Sequence, residues 1–184
     1  MTRLLTKILS LVALLAGAAP VAAQGELVLY CTVQEEWCRP MVAAFEKATG
    51  IKVLMTRKSS GEFYAQIKAE AANPRGDIWW GGTGDPHLQA AEEGLTEAYK
   101  SPKMGEWEAS KGRTVGVYAG ALGYSYNTEQ LKKRNAPAPK CWSDLTRPEF
   151  KDEIQVANPN SSGTSYTMLA TLVQLMGEDK AFDY

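Results

Sequence analysis

Three times along this chain a short apolar run gives way to a turn of small hydroxyl, amide and glycine residues, and then to a helical pattern. Ile154–Ala157 precedes Asn158-Pro159-Asn160-Ser161-Ser162-Gly163-Thr164-Ser165, after which Leu169, Leu172, Val173 and Met176 recur at helical spacing. Ile51–Met55 precedes Arg57-Lys58-Ser59-Ser60-Gly61-Glu62, and Asp77–Trp80 precedes Gly81-Gly82-Thr83-Gly84-Asp85-Pro86. Glu26–Tyr30 opens the series as a strand, a helix with Pro40 in its first turn ends at Gly50, and Ile51–Met55 follows. Strand, helix and strand within about thirty residues is a βαβ unit, which predicts an α/β fold with a parallel sheet. In such a sheet the turns that follow the strands share one edge, where α/β proteins bind ligands.

The chemistry of the turns narrows the ligand. A helix start carries unpaired N–H groups and the positive end of the helix dipole, and a turn without bulky side chains lets an anion reach them. Ser59, Ser60, Thr83, Gly84, Ser161, Ser162, Gly163 and Thr164 are the expected anion donors, with Arg57 and Lys58 adding positive potential. Capping alone also accounts for such residues. Ser59 with Glu62 fits a capping box, Ser161 or Ser162 suits the last helix, and Asp85 with Pro86 suits a helix running to about Glu93. Trp79 and Trp80 are expected in the sheet core.

Composition excludes several classes. The 184 residues carry 20 Lys and Arg against 21 Asp and Glu, a formal net charge of −1, and no basic cluster, so nucleic acid and acidic membrane surfaces are not expected partners. Arg3 and Lys7, the apolar stretch Ile8–Ala16 and the small residues Val21-Ala22-Ala23 describe a secretory signal peptide over residues 1–23. In an oxidising compartment Cys31 and Cys38 are the expected disulfide pair, closing a loop worth about 2–3 kcal/mol, and Cys141 is left without a partner in this chain. No nucleophile elbow, phosphate loop or metal-spaced His/Cys cluster occurs, and the single histidine, His87, reads as a surface residue beside a capping aspartate, so no catalytic residue, metal ligand or cofactor is expected.

Ala44-Phe45-Glu46-Lys47-Ala48-Thr49-Gly50-Ile51-Lys52-Val53, Gly76-Asp77-Ile78-Trp79-Trp80, Gly120-Ala121-Leu122-Gly123-Tyr124-Ser125-Tyr126-Asn127, Cys141-Trp142-Ser143-Asp144-Leu145 and Asn158–Thr164 occur in an order that resembles the periplasmic solute-binding proteins of ABC importers. More narrowly they resemble the branch that includes ferric-iron, phosphonate and sugar-phosphate binders. The resemblance implies a type II periplasmic-binding-protein fold: a first α/β lobe at 24–118, a crossover at 119–127 and the start of a second lobe at 128–184, truncated at Tyr184. It also implies a monomer that closes around a small anionic solute, phosphate-, phosphonate- or carboxylate-bearing, and delivers it to an inner-membrane permease or presents it to a sensor. Ferric iron is the alternative cargo. The family's first-lobe iron ligands fall on Gln34 and Gly82 here, neither of which supplies an anionic oxygen.

Overall fold

The computed structural model describes residues 25–102 and 111–184, so the signal-peptide segment and Trp107 lie outside the described residues. β1 (Glu26–Cys31) is the central strand of a three-stranded sheet, flanked by β2 (Lys52–Arg57) and β3 (Ile78–Trp80) in the order β2-β1-β3. Both pairings are parallel, and their register places Cys31 beside Arg57 on one side and beside Trp80 on the other. The three strands thus end at one level, and the turns after them open on a common edge.

Alternation along β1 sends its side chains to two faces, and each face has its own helix. Cys31 is bonded to Cys38 of α1 (Glu35–Thr49), forming with Val33 a buried cluster against Met55 and Trp80. Tyr30, on the other face, stacks on Phe63 of α2 (Ser60–Ala69) at 4.6 Å, and its hydroxyl donates to Glu70 Oε2 at 2.7 Å. Burial raises the Tyr30 pKa, and the phenol's hydrogen bond lowers that of Glu70. Gly76 is required beside this ring, since a Cβ there would lie 2.5 Å from Tyr30 Cε2.

α3 (Gly84–Glu92) follows β3 and is tied to α2 where Tyr64 and Lys68 both reach the Glu93 carboxylate. Beyond it come α4 (Thr128–Lys133), two short 3₁₀ turns (Trp142–Thr146 and Pro148–Phe150), α5 (Gly163–Met176) and α6 (Glu178–Asp183). Leu172 of α5 and Ala181 of α6 are buried, and Tyr184 Oη donates to the Trp142 carbonyl at 2.6 Å.

Several expectations are corrected. α1 starts at Glu35, which puts Pro40 inside the helix rather than in its first turn. Ile154–Ala157 forms no strand among the described residues, and neither does Val115–Tyr126, whose apolar residues interrupted by three glycines read in sequence as a long extended run, because neither finds the ladder partner that extended backbone needs. Glycines within such a run often mark a close backbone approach, but among the described residues a Cβ at Gly116, Gly120 or Gly123 would meet nothing within 4 Å.

Candidate functional site

Four turns meet at the carboxyl edge of the sheet. Ser60 opens α2, Thr83 is the N-cap of α3, and Ser162 caps α5 by accepting the Ser165 N–H at 3.3 Å. The fourth is Thr32, one residue past β1, whose hydroxyl faces the Trp80 carbonyl at 3.0 Å and the Gly81 carbonyl. These residues interlock. The Gly61 N–H donates to the Ser161 carbonyl at 3.0 Å, joining the start of α2 to the turn before α5. A Cβ at Gly163 would run into Thr83 Oγ1 and lie 3.0 Å from Ser60 Oγ, and one at Gly82 would run into Ser60 Oγ and lie 2.8 Å from Thr32 Oγ1. Three helix starts therefore converge on one patch of hydroxyls and glycines.

At the centre of that patch one hydroxyl is unsatisfied. Thr83 Oγ1 is buried and has no hydrogen-bond partner among the described residues. Most buried polar atoms are paired, and leaving one unpaired costs about 1–3 kcal/mol.

The expected donors divide. Ser60, Thr83 and Gly163 lie within the convergence, with Ser161 on its rim through the bond from Gly61. Ser59 is committed to its own helix, donating from both N–H and hydroxyl to Glu62 Oε2, and this lowers the Glu62 pKa. Ser162 is likewise occupied as a cap, Thr164 is exposed, and Gly84 borders open space. Asp85 and Pro86 are the second and third residues of α3, so Asp85 is not its N-cap; Thr83 holds that position, and its side chain makes no capping hydrogen bond.

The basic residues are engaged elsewhere. Arg57 Nε donates to the Val33 carbonyl at 3.0 Å and Lys58 Nζ to Gln66 Oε1 at 2.7 Å, so the donors lining the convergence are neutral. His87 is not the surface residue expected: it stacks on Trp79 at 3.7 Å, its Nε2 lies 2.8 Å from the Gly81 carbonyl, and burial lowers its pKa. A neutral imidazole with its Nε2 proton on that carbonyl fits this setting. Trp79 and Trp80 are half-buried, Trp79 against His87 and Trp80 in the disulfide cluster.

Thr32, Gly61 and Tyr118 were not legible as site residues. Thr32 could have been found from the rule that residues just past parallel strands share an edge. Nothing local to Tyr118 points to the Gly82 turn, where its hydroxyl accepts the peptide N–H at 2.7 Å and donates to the carbonyl at 2.9 Å. Among the described residues no group of three His, Cys, Asp or Glu side chains could hold a metal ion.

Residues 84–184 match the family described as bacterial extracellular solute-binding protein. The chain belongs to that family. The periplasmic binding protein AfuA from Actinobacillus pleuropneumoniae, solved with fructose 6-phosphate bound, is 45% identical with a TM-score of 0.78, over 88% of this chain and 54% of that one. The periplasmic binding protein P5PA is 44% identical with a TM-score of 0.83, over 87% of this chain and 54% of that one. A putative 2-aminoethylphosphonate-binding periplasmic protein of Salmonella typhimurium is 28% identical over 80% of this chain and 43% of its own length. The chain spans about half the length of these solute-binding proteins. It has the α/β periplasmic-binding-protein fold expected from its motifs, and the family binds solutes rather than transforming them. No helix among the described residues is long and apolar enough to cross a membrane.

Proposed function

We propose that this protein captures a small phosphate- or phosphonate-bearing solute in the periplasm and hands it to the inner-membrane permease of an ABC importer. The observation that carries the reading is the convergence of three helix starts on Ser60, Thr83 and Gly163 around a buried hydroxyl without a partner. Neutral N–H and O–H donors complement a dispersed oxyanion charge, and helix N-termini add favourable potential. A hard ferric ion requires anionic oxygens, which Thr32, Ser60, Gly82, Thr83 and Gly163 do not supply. The solutes in the names of AfuA's complex and of the Salmonella relative carry phosphorus oxyanions, in keeping with this choice. The two-lobed arrangement with its crossover at 119–127, action as a monomer and export by cleavage after Ala23 are parts of the same proposal.

Calorimetric titration of the full-length protein with fructose 6-phosphate, 2-aminoethylphosphonate, inorganic phosphate and ferric citrate tests it. Saturable heat with a phosphorus compound and none with iron is the expected result. Saturable binding of iron alone refutes the reading.

A further inference from the structure

The small donors account for an anionic head, but two large aromatic side chains stand beside them unexplained. Trp37, in the first turn of α1, is 55% exposed, and Tyr118 is 45% exposed. The indole meets the tyrosine ring edge-on, with centroids 6.1 Å apart and planes at 82°, and Trp80 lies 6.3 Å from the same ring. The pair is fixed in place. The Cys31–Cys38 bond closes the loop that carries Trp37, the Trp37 backbone N–H donates to the Gln34 carbonyl at 3.0 Å, and the Tyr118 hydroxyl accepts from the Gly82 N–H and donates to the Gly82 carbonyl. That residue is shared with the convergence, since a Cβ on Gly82 would run into Ser60 Oγ and lie 2.8 Å from Thr32 Oγ1. Rigid aromatic faces continuous with a few polar donors are the composition of a small-molecule site, in which the donors take the charged group and the rings take carbon.

We propose that Trp37 and Tyr118 form a wall that contacts the carbon skeleton of the solute and selects an organic phosphate over inorganic phosphate. This rests on the anion reading of the converged turns. Because aromatic side chains have only two χ angles, ordering them against a ligand costs little entropy, and the wall adds affinity only for solutes that reach past the anion head. Trp37 then tunes selectivity while the converged turns supply binding common to every phosphorus solute.

The test compares full-length wild type with Trp37→Ala, Trp37→Phe and Gly163→Asp, titrated with fructose 6-phosphate, 2-aminoethylphosphonate and inorganic phosphate. Trp37→Ala is expected to weaken fructose 6-phosphate binding about tenfold while affinity for phosphate stays within about twofold and the melting temperature is unchanged. Trp37→Phe, which keeps a ring, should restore most of the loss, and wild-type tryptophan fluorescence should shift with fructose 6-phosphate. Equal losses for the sugar phosphate and phosphate, or no loss for either, would overturn the wall. A loss confined to 2-aminoethylphosphonate would make Trp37 a partner of an ammonium group and overturn it as well. If Gly163→Asp abolishes fructose 6-phosphate binding while Trp37→Ala leaves it intact, the wall falls and the anion reading stands. Failure of the wild type to bind any phosphorus solute removes both.

Discussion

Gly163→Ala and Gly84→Ala make the same chemical change at the first residue of two helices that open on the same edge, and opposite outcomes are expected. A Cβ on Gly163 would overlap Thr83 Oγ1 and sit 3.0 Å from Ser60 Oγ and 3.1 Å from Ser60 Cβ. Ser60 is 4% exposed and cannot swing aside into solvent. Gly163 has no positive φ, so the penalty is steric rather than conformational. Overpacking of this kind costs about 1–3 kcal/mol. Removing a glycine from the unfolded chain returns about 0.4–1 kcal/mol, which leaves a net loss of about 1.3 kcal/mol at the middle of both ranges and about 2.6 kcal/mol at most. For a chain of this size each kcal/mol moves the melting temperature by about 2–4 °C, so a fall of about 3–5 °C is expected at the middle of the range. At Gly84 the added methyl meets nothing within 4 Å among the described residues, and the same entropy argument predicts no loss or a gain of up to about 1 kcal/mol. Because the overlap forces the start of α5 away from α2 and α3, Gly163→Ala should also weaken phosphorus-solute binding at least tenfold, about 1.4 kcal/mol, while Gly84→Ala leaves it unchanged. Thermal melts and titrations of both variants check this. Equal melting temperatures would refute the packing argument, and unchanged affinity in Gly163→Ala would remove α5 from the site.

Burial holds the His87 pKa below its ordinary 6.5, so the folded protein binds fewer protons there than the unfolded chain does. That contribution to stability is present above pH 6.5 and is lost as pH falls through the lowered folded value; melting temperature should therefore decline from pH 7 towards 5, and His87→Leu should flatten the decline. As the chain has one histidine, its imidazole proton resonance reports the titration directly, and a midpoint at or above 6.5 would refute the burial argument. The Cys31–Cys38 bond should appear as a mass about two hydrogens below the reduced form in protein exported to an oxidising compartment, and alkylation of both thiols without prior reduction would overturn it. Asn127 caps α4 by accepting the N–H groups of Glu129 and Gln130 at 3.0 and 3.1 Å, so Asn127→Ala should cost about 1 kcal/mol, read by denaturant titration; a cost near zero would mean that water replaces the cap.

The parts of this fold that depend on neighbours in sequence were legible from the residues alone. Apolar runs set β1, β2 and β3 to within a residue or two, Gly50 ends α1 in the left-handed conformation with its N–H on the Glu46 carbonyl, and the spacing of Cys31 and Cys38 let a strand end and a helix turn be bridged. These are consequences of backbone sterics and short loops, which a local pattern encodes. Features that depend on what arrives from far along the chain were not legible. Asp85 reads as a cap in sequence, yet the helix starts one residue before it, at Gly84, because of where β3 releases the chain. His87 is hydrophilic by composition and is half-buried because Trp79 offers its ring as a stacking surface. Ile154–Ala157 and Val115–Tyr126 have the composition of strands and lack a ladder, since strand formation is a property of a pair. The same division runs through the candidate site. Sequence determined that three turns would carry small donors at helix starts, and parallel pairing placed two of them on one edge. Only the tertiary structure decided that the α5 turn, about a hundred residues from Ser60, packs onto them with glycines at the points of contact, because that approach is governed by side-chain volume across the gap and no local periodicity records it.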